Sequence, residues 1–252
     1  MIITSASNAA FKHIRSLAEK KFRRQYREYT VEGIKSVSDA LRSGRRVKTV
    51  VVSEGFDALP DIGGAELVTV SESLFSRLCD TRTPQGIMAV IDMADGAAAE
   101  LDINKPYIYC DGVNDPGNLG TIIRTADAAG FGGVLISKGS ADLYSPKTVR
   151  ASMGSFFNID TFPELDADFL AQCKERGFEL YGGALGKDTI DYKAADFTKP
   201  TIIIVGNEAN GISKNVLEMC QSVKIPIIGR AESLNVSVAA ALLMYELVSQ
   251  RS

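Results

Sequence analysis

The chain has 252 residues, a length typical of one or two domains, and its 45% hydrophobic content is enough to bury a full core. No apolar run resembles a signal peptide or is long enough to span a bilayer, so we expect a cytoplasmic protein with no membrane partner. The four cysteines lack CxxC spacing, which argues against a metal site, and the single histidine, His13, argues against mechanisms that need a catalytic histidine.

The net charge of −3 conceals an asymmetry along the chain. Residues 1–50 contain 12 Lys and Arg and four Asp and Glu, so their net charge is +8, and the rest of the chain has a net charge of −11. A basic end on an otherwise acidic protein predicts a bound polyanion, with a solvated helix face as the simpler alternative. In KKFRRQYR, Phe22 and Tyr26 alternate with the charges, a mixture that can pair with phosphates and stack on bases, so we favour nucleic acid. Of the five cations of this cluster, the expected RNA contacts are Lys20, Lys21, Arg23 and Arg24.

The first 91 residues predict a small α/β unit. We expect a basic helix or helix pair over residues 5–28, strand Tyr29–Val31, helix Gly33–Arg42, strands Val47–Val52 and Leu67–Val70, helix Ser73–Leu78 and strand Ile87–Ile91. The loop CDTRTPQG carries Arg82, which could contact a polyanion. The stretch from Asp92 to Pro106 is rich in Ala, Asp and Gly and lacks apolar periodicity. We therefore expect domains over residues 1–95 and 107–252, joined by a linker over residues 96–106.

From residue 107 onward, strands and helices alternate. The predicted strands are Tyr107–Asp111, Gly133–Ser137, Phe156–Ile159, Glu179–Gly183, Thr201–Val205 and Ile225–Ile228. The predicted helices are Gly120–Ala129, Pro146–Arg150, Ala167–Arg176, Lys214–Met219 and Val236–Val248. Such alternation predicts an α/β fold with a mostly parallel sheet covered by helices. The last helix is apolar on nearly every side, so we expect it to be buried in a core or an interface.

Three loops with unusual polar content follow predicted strands of this sheet. They are DGVNDPGNLGTIIRTADAAGF, VGNEANGIS and GRAESLNVS. In open α/β sheets ligands bind outside the carboxyl ends of the strands, and the helix after the first loop would offer free amides to an anion. The glycines do not form GxGxxG or GxxxxGK[ST], which argues against an unrelated nucleotide-binding enzyme. Any one loop could be a polar turn or a helix cap, but three in this order are more specific.

These loops resemble the three motifs of the SpoU-type RNA 2′-O-ribose methyltransferases, within the SPOUT superfamily. The matches are NxGxxxR at Asn118, Gly120 and Arg124, GNExxGxS from Gly206 to Ser213, and SLNVSVA from Ser233 to Ala239. VRASMGSFF also resembles the segment between the first two motifs, and the resemblance covers residues 107–248. In the first half, EYTVEGIKSVSDAL and TPQGIMAVI resemble less strongly the small substrate-binding domain, related to a ribosomal-protein fold, of many members.

The resemblance implies S-adenosylmethionine-dependent methylation of a ribose 2′-hydroxyl in RNA, with 23S rRNA favoured over tRNA. It also implies a deep trefoil knot in the C-terminal domain, a homodimer, and structured RNA held by the basic first domain. By motif position, the expected catalytic residues are Arg124, Asn118, Glu208, Ser233 and Asn235. The expected cofactor contacts are Gly206, Ile225 and Leu234, and the expected RNA contacts are Lys20, Lys21, Arg23, Arg24 and Arg82. The alternative is an RNA-binding or ribosome-assembly protein without essential methyl transfer, against which the intact motifs argue.

Arg124 occupies the family's catalytic-arginine position. Arginine is effectively always protonated, so we expect it to bind a neighbouring phosphate and stabilise the developing oxyanion in preference to acting as a base. Asn118 and Glu208 are expected to hold Arg124 and its loop in place. Ser233 and Asn235 are expected to position the ribose, with helix capping as the structural alternative.

Overall fold

The computed structural model describes residues 2–94, 100–186 and 189–252. Its helices are α1 Ala9–Ser16, α2 Lys20–Tyr26, α3 Ile34–Arg42, α4 Glu72–Leu78, α5 Pro116–Ala128, α6 Pro146–Ala151, α7 Ala167–Glu175, α8 Lys214–Leu217 and α9 Val236–Arg251. Its strands are β1 Ile2–Ile3, β2 Glu28–Glu32, β3 Val47–Ser53, β4 Glu66–Val70, β5 Ile87–Asp92, β6 Tyr107–Asp111, β7 Gly133–Ser137, β8 Asp160–Leu165, β9 Glu179–Gly183, β10 Ile190–Asp191, β11 Thr201–Gly206 and β12 Gln221–Lys224. None of the helices in the described ranges combines the length and apolar character that a membrane span requires.

The chain folds as two compact units. The first comprises Met1–Asp95 together with Tyr144–Phe157, and the second comprises Gly96–Leu143 together with Asn158–Ser252. The segment Tyr144–Phe157 thus belongs to the first unit although it lies within the second half of the sequence, a division that the sequence does not predict. The predicted linker over residues 96–106 lies partly outside the described residues and stays a prediction.

A mixed sheet forms the centre of the first unit, and its described strands run in the order β1-β4-β3-β5-β2. β1 and β3 pair with β4 in parallel, whereas β5 pairs antiparallel with β2 and β3. Phe11 of α1 and Phe75 of α4 are buried against Val51 of β3. Tyr29 of β2 contacts the rings of Tyr144 and Phe156, with centroids 4.9 Å and 5.6 Å away. These aromatic contacts explain why the inserted segment belongs to the first unit.

The second unit contains a sheet whose described strands are all parallel, in the order β10-β12-β9-β11-β6-β7-β8. The predicted parallel sheet is therefore confirmed. The central strands β6, β7 and β11 are buried almost throughout, as their continuous apolar runs indicate. α9 packs against α5, β9 and β11.

Two predicted strands are wrong. Ser155–Phe157 forms a 3-10 turn, and the strand begins only at Asp160, as β8. β8 lies at the edge of the sheet, where Pro163 is tolerated although it has no N–H to donate. The chain also leaves the sheet at Ile225, because the preceding residues form β12 and Pro226 cannot continue the ladder.

Candidate functional site

The first two polar loops leave the same end of the sheet. β6 and β11 are neighbours, and Asp111 pairs with Gly206 at their carboxyl ends. Glu208, in the second loop, accepts hydrogen bonds from the backbone N–H groups of Asn114 and Asp115 in the first loop, at 3.1 Å and 3.2 Å. The two loops are therefore joined through one carboxylate.

The carboxylate of Glu208 is held in its ionised form. Burial alone would raise its pKa, but the hydrogen bonds from Asn118 Nδ2 and from the N–H groups of Asn114 and Asp115 outweigh burial, so the pKa lies below its ordinary value. An ionised carboxylate accepts hydrogen bonds and donates none. Glu208 therefore determines the orientation of any amide that bonds to it.

α5 begins at Pro116, four residues before the predicted start at Gly120. Asp115 is the N-cap, and its Oδ1 accepts from Asn118 N at 2.9 Å, while Pro116 occupies the first helical position, where no N–H is needed. The Asp-Pro pair was the sequence signal for this start. As a result, Asn118 lies in the first turn of a helix, with its side chain fixed beside the second loop.

Asn118 and Asn235 connect all three loops. Asn118 Nδ2 donates to Glu208 Oε1 at 2.9 Å, and Asn118 Oδ1 accepts from Asn235 Nδ2 at 3.0 Å. Asn235 Oδ1 caps α9 by accepting from Ser237 N at 2.9 Å and Val238 N at 3.4 Å. The structure thus brings three of the five expected catalytic residues together in one chain of hydrogen bonds.

Arg124 and Ser233, the other two expected catalytic residues, are exposed, and their side chains form no hydrogen bond or ion pair with any residue in the described ranges. Asn118 and Glu208 therefore hold the first loop, as expected, but the expectation that they also hold Arg124 is wrong. Their hydrogen bonds go to each other, to the first loop and to Asn235. Arg124, exposed on α5 six positions after Asn118, keeps its guanidinium available for a ligand.

Gly206 ends β11 at a close approach of two backbone segments. A Cβ at this position would lie 2.2 Å from both Gly211 C and Ile212 N. The residues after Gly206 form a tight loop, in which Asn207 N donates to Gly211 O and Gly211 N donates to Asn207 O, both at 2.9 Å. Gly206 is expected from its motif position to contact the cofactor, and it also allows the second loop to close.

Sequence reasoning assigned no role to Asn207. Its Nδ2 donates to Gly112 O at 2.8 Å, and its Oδ1 accepts from Ala209 N and Asn210 N, both at 3.0 Å. Asn207 thus shapes the loop that carries Glu208 and ties it to the first loop. Its place directly after a buried strand, where Asn often bonds to the backbone two residues on, was the available signal.

The third loop offers unpaired backbone to a ligand. Among the residues that the structure describes, none forms a hydrogen bond with the N–H or C=O groups of residues 227–234. Ile225 is half-buried, Leu234 is 36% exposed, and a Cβ at Gly229 would meet nothing within 4 Å. Free peptide groups beside apolar side chains suit a purine, whose edge hydrogen-bonds and whose faces are apolar. The loop therefore fits the adenosine part of S-adenosylmethionine.

Four of the five expected RNA-contacting cations are exposed in the first unit: Lys20, Lys21, Arg24 and Arg82. Arg23 is only 4% exposed, and its Nη1 donates to Leu17 O and Ala18 O, both at 2.7 Å. These carbonyls lie at the C-terminal end of α1, where a guanidinium is a favourable cap. The expected RNA contact by Arg23 is therefore corrected to a structural role.

Comparison with known proteins gives matches along almost the whole chain. Residues 105–245 match the SpoU rRNA Methylase family, and residues 8–89 match the MRM3-like substrate binding domain. The 23S rRNA (guanosine(2553)-2′-O)-methyltransferase RlmP of Bacillus subtilis is 37% identical over 247 residues, which are 97% of this chain and 98% of that protein.

Two solved structures are similar over nearly their full length. The AdoMet-bound rRNA methyltransferase from Sinorhizobium meliloti has a TM-score of 0.89 at 32% identity, covering 98% of this chain and 97% of that one. The SpoU methyltransferase AviRb from Streptomyces viridochromogenes has a TM-score of 0.87 at 29% identity, covering 97% and 98%. The similarity includes both units of this chain.

Proposed function

The chain belongs to the SpoU rRNA methylase family, and from that premise we propose that it transfers a methyl group from S-adenosylmethionine to a ribose 2′-hydroxyl in 23S rRNA. It is an RNA methyltransferase, and S-adenosylmethionine is its cofactor. The observation that carries the 23S rRNA assignment is the similarity to RlmP over 97% of the chain, which includes the first unit. An rRNA substrate also supports a cytoplasmic location.

The chemistry divides between cofactor and protein. S-adenosylmethionine supplies, when bound, a methyl group that is already strongly electrophilic. The protein has to align the 2′-hydroxyl with that methyl group and stabilise the negative charge that develops on the oxygen. Arg124 meets the second need, because its guanidinium is permanently charged, exposed and uncommitted within the described chain. We assign it to a phosphate beside the reacting ribose and to the developing oxyanion.

The remaining motif residues act mainly by position. Asn118, Glu208 and Asn235 hold the three loops together, because their polar atoms bond to one another and to the backbone. Ser233 has no such bond in the described chain and is the residue that we assign to the ribose. The proposed cofactor contacts are Gly206, Ile225 and Leu234, with the backbone of the third loop reading the adenine edge.

We propose a trefoil knot in the C-terminal domain, residues 107–252. The proposal is supported by the order of the strands in the sheet, which differs from their order along the chain. β11 lies between β9 and β6, and β12 lies on the other side of β9. From β12 the chain then returns so that α9 packs against α5 and β11. A return path of this kind passes beside the loops that the earlier strands have already formed.

A homodimer is the proposed state in solution. Val238, Leu242 and Tyr245 recur at the spacing of one helical face on α9, and they are 48%, 41% and 51% exposed. An exposed apolar stripe beside a functional site is a candidate subunit interface, and a second copy would bury it. In this arrangement the basic domain, residues 1–95, would hold structured RNA through Lys20, Lys21, Arg24 and Arg82.

The proposal is tested by transfer of labelled methyl from S-adenosylmethionine to unmodified 23S rRNA and, separately, to unmodified tRNA. We expect label on the 23S rRNA that disappears with Arg124→Ala and persists with Lys193→Ala, which removes an exposed charge from the same unit. Label on tRNA alone would assign the chain to tRNA methylation. Binding of rRNA without label on either RNA would favour an RNA-binding or ribosome-assembly role.

A further inference from the structure

Two aromatic rings lie side by side on α2 in the first unit. Phe22 and Tyr26 are four residues apart, their ring planes are within 11° of parallel, and their centroids are 6.1 Å apart. Tyr26 is 40% exposed and Phe22 is half-buried. Exposed rings grouped in this way are more often interaction sites than isolated apolar residues are. We name Phe22, Tyr26 and the His13 ring that contacts Tyr26 the aromatic platform.

The buried carboxylate of Glu28 holds the His13 ring of the platform in position. The His13 ring packs against Tyr26 with centroids 4.6 Å apart and planes at 64°, and His13 Nε2 lies 2.5 Å from Glu28 Oε2. Lys48 donates to the other oxygen of Glu28, which is 4% exposed. Burial would raise the pKa of Glu28, but the bonds from Lys48 and His13 lower it below its ordinary value. The ionised carboxylate thus fixes His13, and His13 fixes one side of Tyr26 before any ligand arrives.

The charge around the platform selects the ligand. Lys21 Nζ lies 4.5 Å from the centroid of the Phe22 ring, and the exposed Lys20 and Arg24 lie on the same helix. Flat rings among cations match a nucleotide, because the base stacks and the phosphates pair with the cations. A base in a continuous duplex has both faces covered by its neighbours, so only an unpaired base can use such a platform.

We infer that the aromatic platform binds a single unpaired base of the RNA substrate by stacking on Tyr26 and Phe22, with Lys21 at an adjacent phosphate. The inference rests on the proposed RNA methyltransferase function and deepens it. It adds the class of RNA structure that the first unit recognises, which is an unpaired nucleotide in a loop or bulge. It also makes His13 and Glu28 positioning residues, since they act through Tyr26.

Tyr26→Trp provides a direct test, because the chain contains no tryptophan and the new indole is the only one. The probes are a short RNA hairpin with an unpaired loop and the same stem closed as a continuous duplex. We expect the hairpin to quench the indole emission and the duplex to leave it unchanged. Tyr192→Trp is the matched control, because Tyr192 also lies under a lysine, Lys193 at 5.9 Å, but in the second unit, and its emission should not respond.

Binding constants complete the test. Tyr26→Ala should weaken hairpin binding about 5- to 100-fold, as expected for loss of one base–aromatic stack, while Tyr26→Phe should bind like the unsubstituted chain. Lys21→Ala should reduce the salt dependence of binding and preserve the quenching seen in the Tyr26→Trp background. Melting temperatures of all variants would show that they are folded.

Equal hairpin binding by Tyr26→Ala, or an indole at position 26 that the hairpin does not quench, would overturn the inference. Methyl transfer to 23S rRNA by the unsubstituted chain separates this failure from failure of the proposed function. Methyl transfer without quenching would refute base binding by the aromatic platform and support the proposed methyltransferase activity. Quenching without methyl transfer to any RNA would support base binding by the aromatic platform and refute the proposed activity.

Discussion

Asn235 performs two tasks with the two ends of one amide. Its Oδ1 caps α9, and its Nδ2 donates to Asn118 Oδ1 at 3.0 Å. Asn235→Asp separates the tasks, because aspartate caps a helix as well as asparagine does but has no hydrogen to donate when ionised. We expect the cap of α9 to be kept and the bond between the third and first loops to be lost.

The geometry sets the size of the effect. Asn118 cannot restore the bond by turning its amide over, because its Nδ2 is required by Glu208, which only accepts. The substitution therefore places a carboxylate oxygen of residue 235 against Asn118 Oδ1, and the hydrogen bond between them is lost. A hydrogen bond contributes about 0.5–1.5 kcal/mol, so its loss should lower kcat/KM about 2- to 12-fold. The free energy of unfolding should fall by the same amount, about 0.5–1.5 kcal/mol, because the bond lies within the folded chain. Asn235→Ala, which also removes the cap, should lower it by about 1 kcal/mol more than Asn235→Asp does.

Initial rates of methyl transfer to 23S rRNA and urea unfolding are the two measurements. Asn8 supplies a matched control, because its Oδ1 caps α1 through Ala10 N and Phe11 N at 2.9 Å and 3.3 Å, away from the three loops. Asn8→Asp should change neither quantity. Unchanged kcat/KM for Asn235→Asp would refute the role of the hydrogen-bond chain, and a stability loss as large as that of Asn235→Ala would refute the separation of the two tasks.

Three further substitutions test other parts of the structure. Arg124→Lys should lower kcat at least tenfold with unchanged unfolding, because a lysine cannot bind a phosphate and an oxyanion through a planar fork; near-full activity would contradict this role. Gly206→Ala should lower the free energy of unfolding in urea by about 1–3 kcal/mol, because the added Cβ would lie 2.2 Å from backbone atoms. It should also weaken S-adenosylmethionine binding, measured by calorimetry. Gly229→Ala is the control and should be as stable as the unsubstituted chain, because a Cβ there has open space around it. Burial would raise the pKa of Glu28, but its bonds to Lys48 and His13 lower it below the ordinary value of about 4.3. The ionised carboxylate therefore stabilises the fold fully at pH values above about 4.3. This contribution is lost as the pH falls through the lower pKa of the folded state. Glu28→Gln should therefore flatten the fall in unfolding free energy below about pH 4.3, and an unchanged slope would show that other groups cause it.

The sequence predicts the central strands well and the last ones poorly. β6, β7 and β11 match their predicted bounds to within one residue, because a continuous apolar run between turn residues is the signature of a buried parallel strand. β8 and β12 contain polar residues and pair at or near a sheet edge, so local hydrophobicity could not find them. Their neighbours Phe156–Ile159 and Ile225–Ile228 are more apolar and were chosen in error.

The motifs identify the site residues but not their partners. Asn118 bonds to residues 90 and 117 positions away along the chain, and such pairings depend on how the strands are ordered in the sheet. For this reason the sequence suggested that Asn118 and Glu208 support Arg124, when they support each other. Arg23 shows the same limit, because nothing within KKFRRQYR distinguishes the one buried cation from its exposed neighbours.

Methylation of a ribose oxygen is tested most directly by chemical identification of the product. Unmodified 23S rRNA would be treated with the chain and S-adenosylmethionine carrying a heavy-isotope methyl group, digested to nucleosides, and analysed by mass spectrometry. We predict a single 2′-O-methylnucleoside that carries the isotope in its sugar fragment and is absent with Arg124→Ala. The isotope in a base fragment, or an rRNA that remains unlabelled, would contradict this prediction.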